Sequence, residues 1–149
     1  MNDKNKFAEI DNDLRRFLQA QQNIYPQVLK ELQNGKKTSH WMWFIFPQIE
    51  GLGHSSTAKY YSIKSIIEAK EYVAHPVLGK RLLKCIDIIL NINSKTADEI
   101  FGYPDNLKLR SSMTLFNFAA PEHKVFGDLL KKYFAGEEDQ KTLGIIKNP

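Results

Sequence analysis

Chemistry in this chain would start in residues 39–57, which read Ser-His-Trp-Met-Trp-Phe-Ile-Phe-Pro-Gln-Ile-Glu-Gly-Leu-Gly-His-Ser-Ser-Thr. Both tryptophans of the protein and two of its four histidines lie here. Trp41, Trp43, Phe44 and Phe46 could form a stacking wall for a base or nicotinamide ring. Aromatic side chains are more often buried, so for most of the four a place in the core is expected. Read as an extended segment, Trp41, Trp43 and Ile45 share one face, and His40, Met42, Phe44 and Phe46 the other. Both faces are largely apolar, which predicts burial on both sides; a buried helical turn is the other conformation open to the segment. Gln48 follows. Gly51 and Gly53 then let backbone amides turn toward an anion, and Ser55, Ser56 and Thr57 add hydroxyl donors. His54, Lys59 and Lys64 can supply charge. Together they suggest a phosphate or carboxylate cradle. A tight turn with a serine cap is the simpler account, because the full dinucleotide fingerprint and the nucleotide-triphosphate loop are both absent.

A second polar cluster comprises Asp105, Lys108, Arg110, Ser111, Ser112 and Thr114. On a helix, Lys108, Ser111 and Ser112 form one row, while Arg110 and Thr114 form the next. Short hydroxyl side chains beside Met113 and Phe116 are poor helix formers. They suit either the wall of a polar pocket or a capped, solvated face.

The histidines divide by setting. His40 and His54 flank the aromatic and glycine blocks and are the candidates for proton transfer. His75, before Pro76, reads as capping or packing a helix junction. His123 reads as exposed at a helix start. Their spacing suits no metal site, the one cysteine cannot complete one, and no triad is recognisable. No metal and no cofactor is therefore expected. Asp87, Asp98, Glu99, Glu137, Glu138 and Asp139 read as surface or capping groups, with no paired-carboxylate arrangement.

The elements that must hold these residues are helical. Leu14, Phe17, Leu18, Tyr25, Val28, Leu29 and Leu32 recur at helical spacing, with Asp11 or Asn12 to cap the start and Gly35 to end it. Pro26 predicts a kink, or two helices meeting near Tyr25. Ser65 and Glu68 form a Ser-x-x-Glu capping box, and Thr96 and Glu99 a second. Pro76 suits the first turn of a helix that runs to about Ile92 with Leu78, Leu82, Cys85, Ile86 and Ile89 inward. Gly102 stops the short helix begun at Thr96. Asp105 can cap a helix carrying Leu109, Met113 and Phe116 and ended by Pro121. Val125, Phe126, Leu129, Leu130 and Tyr133 mark another, closed by Gly136. Asp139 starts the last, through Leu143 and Ile146. The only β-like run, residues 41–46, would lack a partner strand. The expectation is an all-α, compact, single-domain array of about seven helices over residues 1–149.

Composition sets the outer bounds. A chain of 149 residues with 42% hydrophobic residues can bury one ordinary core. The formal net charge of +4 rests mostly on lysine, with arginine only at positions 15, 16, 81 and 110. Phosphate and guanine readers lean more on arginine, so nucleic acid is not the expected partner. One cysteine, no apolar run near the length of a bilayer crossing and a polar N-terminus point to the cytoplasm, without a membrane.

The ordered run His40-Trp41-Met42-Trp43-Phe44-Ile45-Phe46-Pro47-Gln48, Gly51-Leu52-Gly53, Glu68-Ala69, His75-Pro76-Val77-Leu78-Gly79, Arg81-Leu82, Ile100-Phe101-Gly102, Asp105, Lys108-Leu109-Arg110-Ser111-Ser112-Met113-Thr114-Leu115-Phe116 and Asp139 closely resembles the bacterial family named domain of unknown function 1810. The resemblance spans about residues 17–146. It implies an all-α single domain and no agreed activity, so His40, Trp41, Trp43, Gln48, Gly51, Gly53, Lys108, Ser111 and Thr114 carry over as signature positions alone. Some members are labelled calpastatin. Calpastatin inhibitory segments are disordered, whereas this chain has capped helices and a full apolar complement.

Two functions follow as expectations. In the first, an anionic, nucleotide-like small molecule binds or is processed in a cleft between residues 40–57 and the helix over 106–119. Trp41 or Trp43 stacks it, Gln48, Gly51, Gly53 and Ser55 with Lys108, Arg110, Ser111 and Thr114 hold it, and His40 or His54 moves a proton. In the second, the chain is a non-catalytic helical module that meets a protein, or weakly a nucleic acid, through surface lysines such as Lys131 and Lys132. Neither reading implies an oligomeric state.

Overall fold

The structure, a computed structural model, describes residues 14–148. The proposed caps Asp11 and Asn12 lie outside them. Leu14, Phe17 and Gln21 point inward from α1, which covers residues 14–21. A turn at 22–24 separates it from α2 (Tyr25–Gln33), whose first turn holds Pro26. Proline is tolerated there because those amides have no partner inside the helix. Gly35, at φ +69°, ends α2 as expected.

The described residues form ten helices and no strand, against an expected seven or so. The extra three have plain origins. The first amphipathic run breaks in two at the 22–24 turn. Residues 41–46 form a helical turn, α3 (Met42–Ile45), rather than a strand. The serine cap of the glycine loop opens a real helix, α4 (Ser56–Tyr61), with Ser55 Oγ accepting from the Ala58 amide. The sole β-type pairing among the described residues is an isolated parallel bridge, in which the Ile63 amide donates to the Gln48 carbonyl and the Glu50 amide to the Ile63 carbonyl, both at 2.8 Å.

Then come α5 (Ile66–Ala74), α6 (Leu78–Leu90), α7 (Ala97–Phe101), α8 (Asp105–Ala119), α9 (Val125–Phe134) and α10 (Gln140–Lys147). The Thr96–Glu99 capping box is complete at α7. At α5 only half of the expected box forms. Ser65 caps the Glu68 amide, but the Glu68 carboxylate turns to Arg16 at 2.8 Å and to the Lys64 amide. His75 caps the start of α6, its Nδ1 accepting from the amides of Val77 and Leu78. His123 is half-buried against the Phe126 ring rather than exposed. Asp105 is the first residue of α8, not its cap. Its carboxylate instead pairs with Lys37 at 2.8 Å and Lys108 at 3.5 Å.

Helix α8 is central, packing on α5, α7, α9 and α10. Leu109, Met113 and Phe116 are buried as expected, and so are Ser111, Ser112, Thr114 and Leu115, because neighbours cover most of its circumference. The Phe116 ring stacks on Phe126 and tilts against Tyr72, continuing to Phe17. A second ring group joins Trp41, Phe46 and Phe101 at 6.1–6.4 Å between centroids. One continuous apolar core results. No helix among the described residues is long and apolar enough to cross a membrane.

Beside that core lies the most deeply buried carboxylate among the described residues. Glu31, 3% exposed, accepts from the amides of Thr38 and Ser39, the Ser39 hydroxyl, the Trp41 indole and the Gln27 amide, at 2.6–3.0 Å. Burial pushes its pKa up, but the hydrogen bonds led by Ser39 and Thr38 outweigh it and hold the value at about 2. This anchor fixes the lead-in to α3.

Candidate functional site

Trp41 and Trp43 stand two residues apart on a helical turn, which sets their side chains about 200° apart. Trp41 is therefore fully buried, with its indole on Glu31, whereas Trp43 is half-buried and faces outward. Trp43 forms one wall of a cavity of about 590 Å³. Gln48, held by the Ile49–Ile63 bridge, extends that wall, and the loop of Gly53, His54 and Ser55 closes one side. Gly53 has a steric reason to be glycine, since a Cβ there would lie 2.5 Å from the Ala58 Cβ. The absence of a side chain there lets the loop lie close against α4.

The facing wall is the start of α8. Lys108 holds its ammonium 5.3 Å from the Trp43 ring centroid, a cation–π contact, while pairing with Asp105. Ser111, one turn on, is 7% exposed and hydrogen-bonds to the Leu107 carbonyl at 3.2 Å and Asp139 Oδ2 at 3.1 Å. Tyr103, 77% exposed, stands at the mouth beside Leu107, and Lys141 reaches in from α10. This cavity is lined by two lysines, a histidine and no carboxylate. It offers a flat aromatic face beside a positive rim with amide and hydroxyl donors, which suits an anion that carries a ring.

Seven of the candidate residues thus meet in one cleft: Trp43, Gln48, Gly53, His54, Ser55, Lys108 and Ser111. Five do not. Trp41 is core. Thr114 is buried at the α8–α10 contact, its hydroxyl donating to the Arg110 carbonyl and accepting from the Asp139 amide. His40 is exposed and lines no part of the cavity. Gly51 sits on the outer side of its loop at φ +107°, near the Ile145 side chain, a backbone shape that favours glycine. Arg110 faces a neighbouring cavity, 3.8 Å from Asp139. Ser112, expected beside Ser111, is fully buried and its Oγ has no hydrogen-bond partner among the described residues.

Sequence reasoning passed over Tyr103, Leu107 and Lys141. Tyr103 left a faint signal, an aromatic inside a Gly-Tyr-Pro-Asp turn, where a large ring has little to pack on. Leu107 and Lys141 left none, since an apolar residue in a first turn and a lysine in a last helix are ordinary. His54 is the one candidate proton carrier on the cleft. Cys85 offers no nucleophile: it is buried in α6, and burial pushes its thiol up to about 12.

Comparison with known proteins adds a family and a fold. The sequence profile of the family described as "Protein of unknown function (DUF1810)" matches residues 11–146. The crystal structure of the conserved hypothetical protein Rv1873 from Mycobacterium tuberculosis is similar, at 45% identity and a TM-score of 0.90, over 92% of this chain and 98% of that one. No curated protein matches the chain.

Proposed function

The chain belongs to the DUF1810 family of proteins of unknown function, and we propose that it binds an anionic small molecule with a flat ring, of the nucleotide kind, in the cleft between residues 40–57 and the start of α8. The observation that supports this reading is the meeting of Trp43, the 53–55 loop, Lys108 and Ser111 on one cavity. Its volume of about 590 Å³ falls within the ~300–1,000 Å³ usual for small-molecule sites. The ligand ring takes the place of the Lys108 ammonium over Trp43. The displaced ammonium, still beside Asp105, and Lys141 then flank the anion. Gln48 fixes the ring edge, and the Ser55 hydroxyl, which caps α4 as an acceptor, still has a proton to donate. His54, on the rim, is the group to carry a proton should the bound molecule react. The setting is the cytoplasm.

A thermal-shift and calorimetric screen of nucleotides and sugar phosphates tests the reading. A ligand at about 100 times its Kd should stabilise the fold by about 2.7 kcal/mol. Trp43→Ala and Lys108→Ala should each weaken binding about tenfold or more, as loss of a stacked ring or a charged contact does. An absence of both stabilisation and heat across the screen would falsify it.

The alternative of a lysine-rich docking surface draws less support. Lys132, one of its two named lysines, is committed to the carbonyls of Leu90 and Ile92 at the end of α6.

A further inference from the structure

The cleft has a neighbour at Ser111. A second cavity of about 730 Å³ lies on the other side of the same helix turn, and the two share Leu107, Ser111 and Lys141 as a common saddle. The lobes differ in charge. The first is lined by Lys108, Lys141 and His54 with no carboxylate in the lining itself, although Asp105 pairs with Lys108 from outside it. The second is lined by three carboxylates, Glu137, Glu138 and Asp139, against two cations, Arg110 and Lys141. Asp139 is already engaged: it accepts from Ser111 and from both the amide and the hydroxyl of Thr142, beside Arg110. Glu137 and Glu138 are left as acceptors, with Arg110 and Lys141 as donors.

We infer that the ligand bends over this saddle and ends in a neutral, hydroxyl-bearing group, which makes it a nucleoside diphosphate sugar rather than a nucleoside mono- or triphosphate. The inference rests on the reading of the first lobe given above and adds the second. Its physical basis is the contrast in lining. A ring stacks on Trp43 and a diphosphate sits near Lys108 and Lys141. A further phosphate would enter a lobe with an excess of carboxylates and be repelled. Sugar hydroxyls both donate and accept, so they use the carboxylates and the guanidinium together. Length alone does not separate the two ligand types, because a triphosphate also passes the saddle. Charge does.

Calorimetric titration of the intact chain decides, with AMP, ATP and ADP-ribose as one series and UMP, UTP and UDP-glucose as another. Within the series that binds, the diphosphate sugar should bind roughly tenfold tighter than the monophosphate, and tighter than the triphosphate. Arg110→Ala should remove that advantage while monophosphate affinity stays within about twofold. Glu138→Ala, at a half-exposed loop position, should do the same without touching the Asp139 contacts. If the monophosphate binds and the diphosphate sugar gains nothing, or the triphosphate binds tightest, the second lobe is not part of the site and the first-lobe reading stands alone. If no member of either series binds, both fall together.

Discussion

Replacing Glu31 by glutamine should cost stability at neutral pH and almost none in strong acid. The charged carboxylate is 3% exposed and accepts five hydrogen bonds. Its pKa is held at about 2, against an ordinary value of 4.5. At about 1.4 kcal/mol per unit, that preference for the charged form amounts to about 3 kcal/mol. Glutamine resembles the protonated acid in charge and must also turn an amide donor toward groups that themselves donate. Because the folded value is the depressed one, this stability is full above about pH 4.5 and disappears as pH falls toward 2. Urea unfolding of the parent and Glu31→Gln should therefore differ by about 3 kcal/mol at pH 7, equivalent to roughly 6–12 °C in Tm for a chain of this size. The gap should narrow steadily between pH 5 and pH 2. A gap below about 1 kcal/mol at pH 7, or one that stays constant with pH, would refute the argument that the charge itself is what the surrounding donors hold.

Two further substitutions separate framework from site. Thr114→Val should cost about 1–2 kcal/mol, since it removes the acceptor of the Asp139 amide, yet leave ligand affinity unchanged when measured by calorimetry. Gly53→Ala should do more to the cleft than to the fold. The new methyl must push the loop off Ala58, at about 1–3 kcal/mol, and a drop in ligand affinity larger than that of Thr114→Val is the expected readout.

Much of the framework was legible because it is local. Helical spacing marks the inward faces of α6 and α9, and Thr96, Asp139 and Gly35 act at helix ends within a few residues of where they stand. Glu31 was not legible. Its partners lie 4 to 10 residues away, mostly in an irregular stretch with no period. The division of labour between the two tryptophans was also hidden, because a turn of four residues is too short to show a period that tells helix from strand. The pairing of the 40–57 segment with α8 could be posed from sequence only as a condition, since contact across some 60 residues leaves no mark in either segment alone.

The Ile49–Ile63 bridge has a consequence for how such a site can change. Two backbone hydrogen bonds and two core isoleucines clamp the base of a small ring of chain, and the glycine loop is its tip. With the base clamped, doubling the length of the tip costs only about 0.6 kcal/mol in closure entropy. In the proposed site the tip meets one end of the ligand, and Leu52 is its contact with the core. It can therefore be lengthened while Gly53 and Ser55 keep their places on α4, and a different ligand is most readily accommodated there.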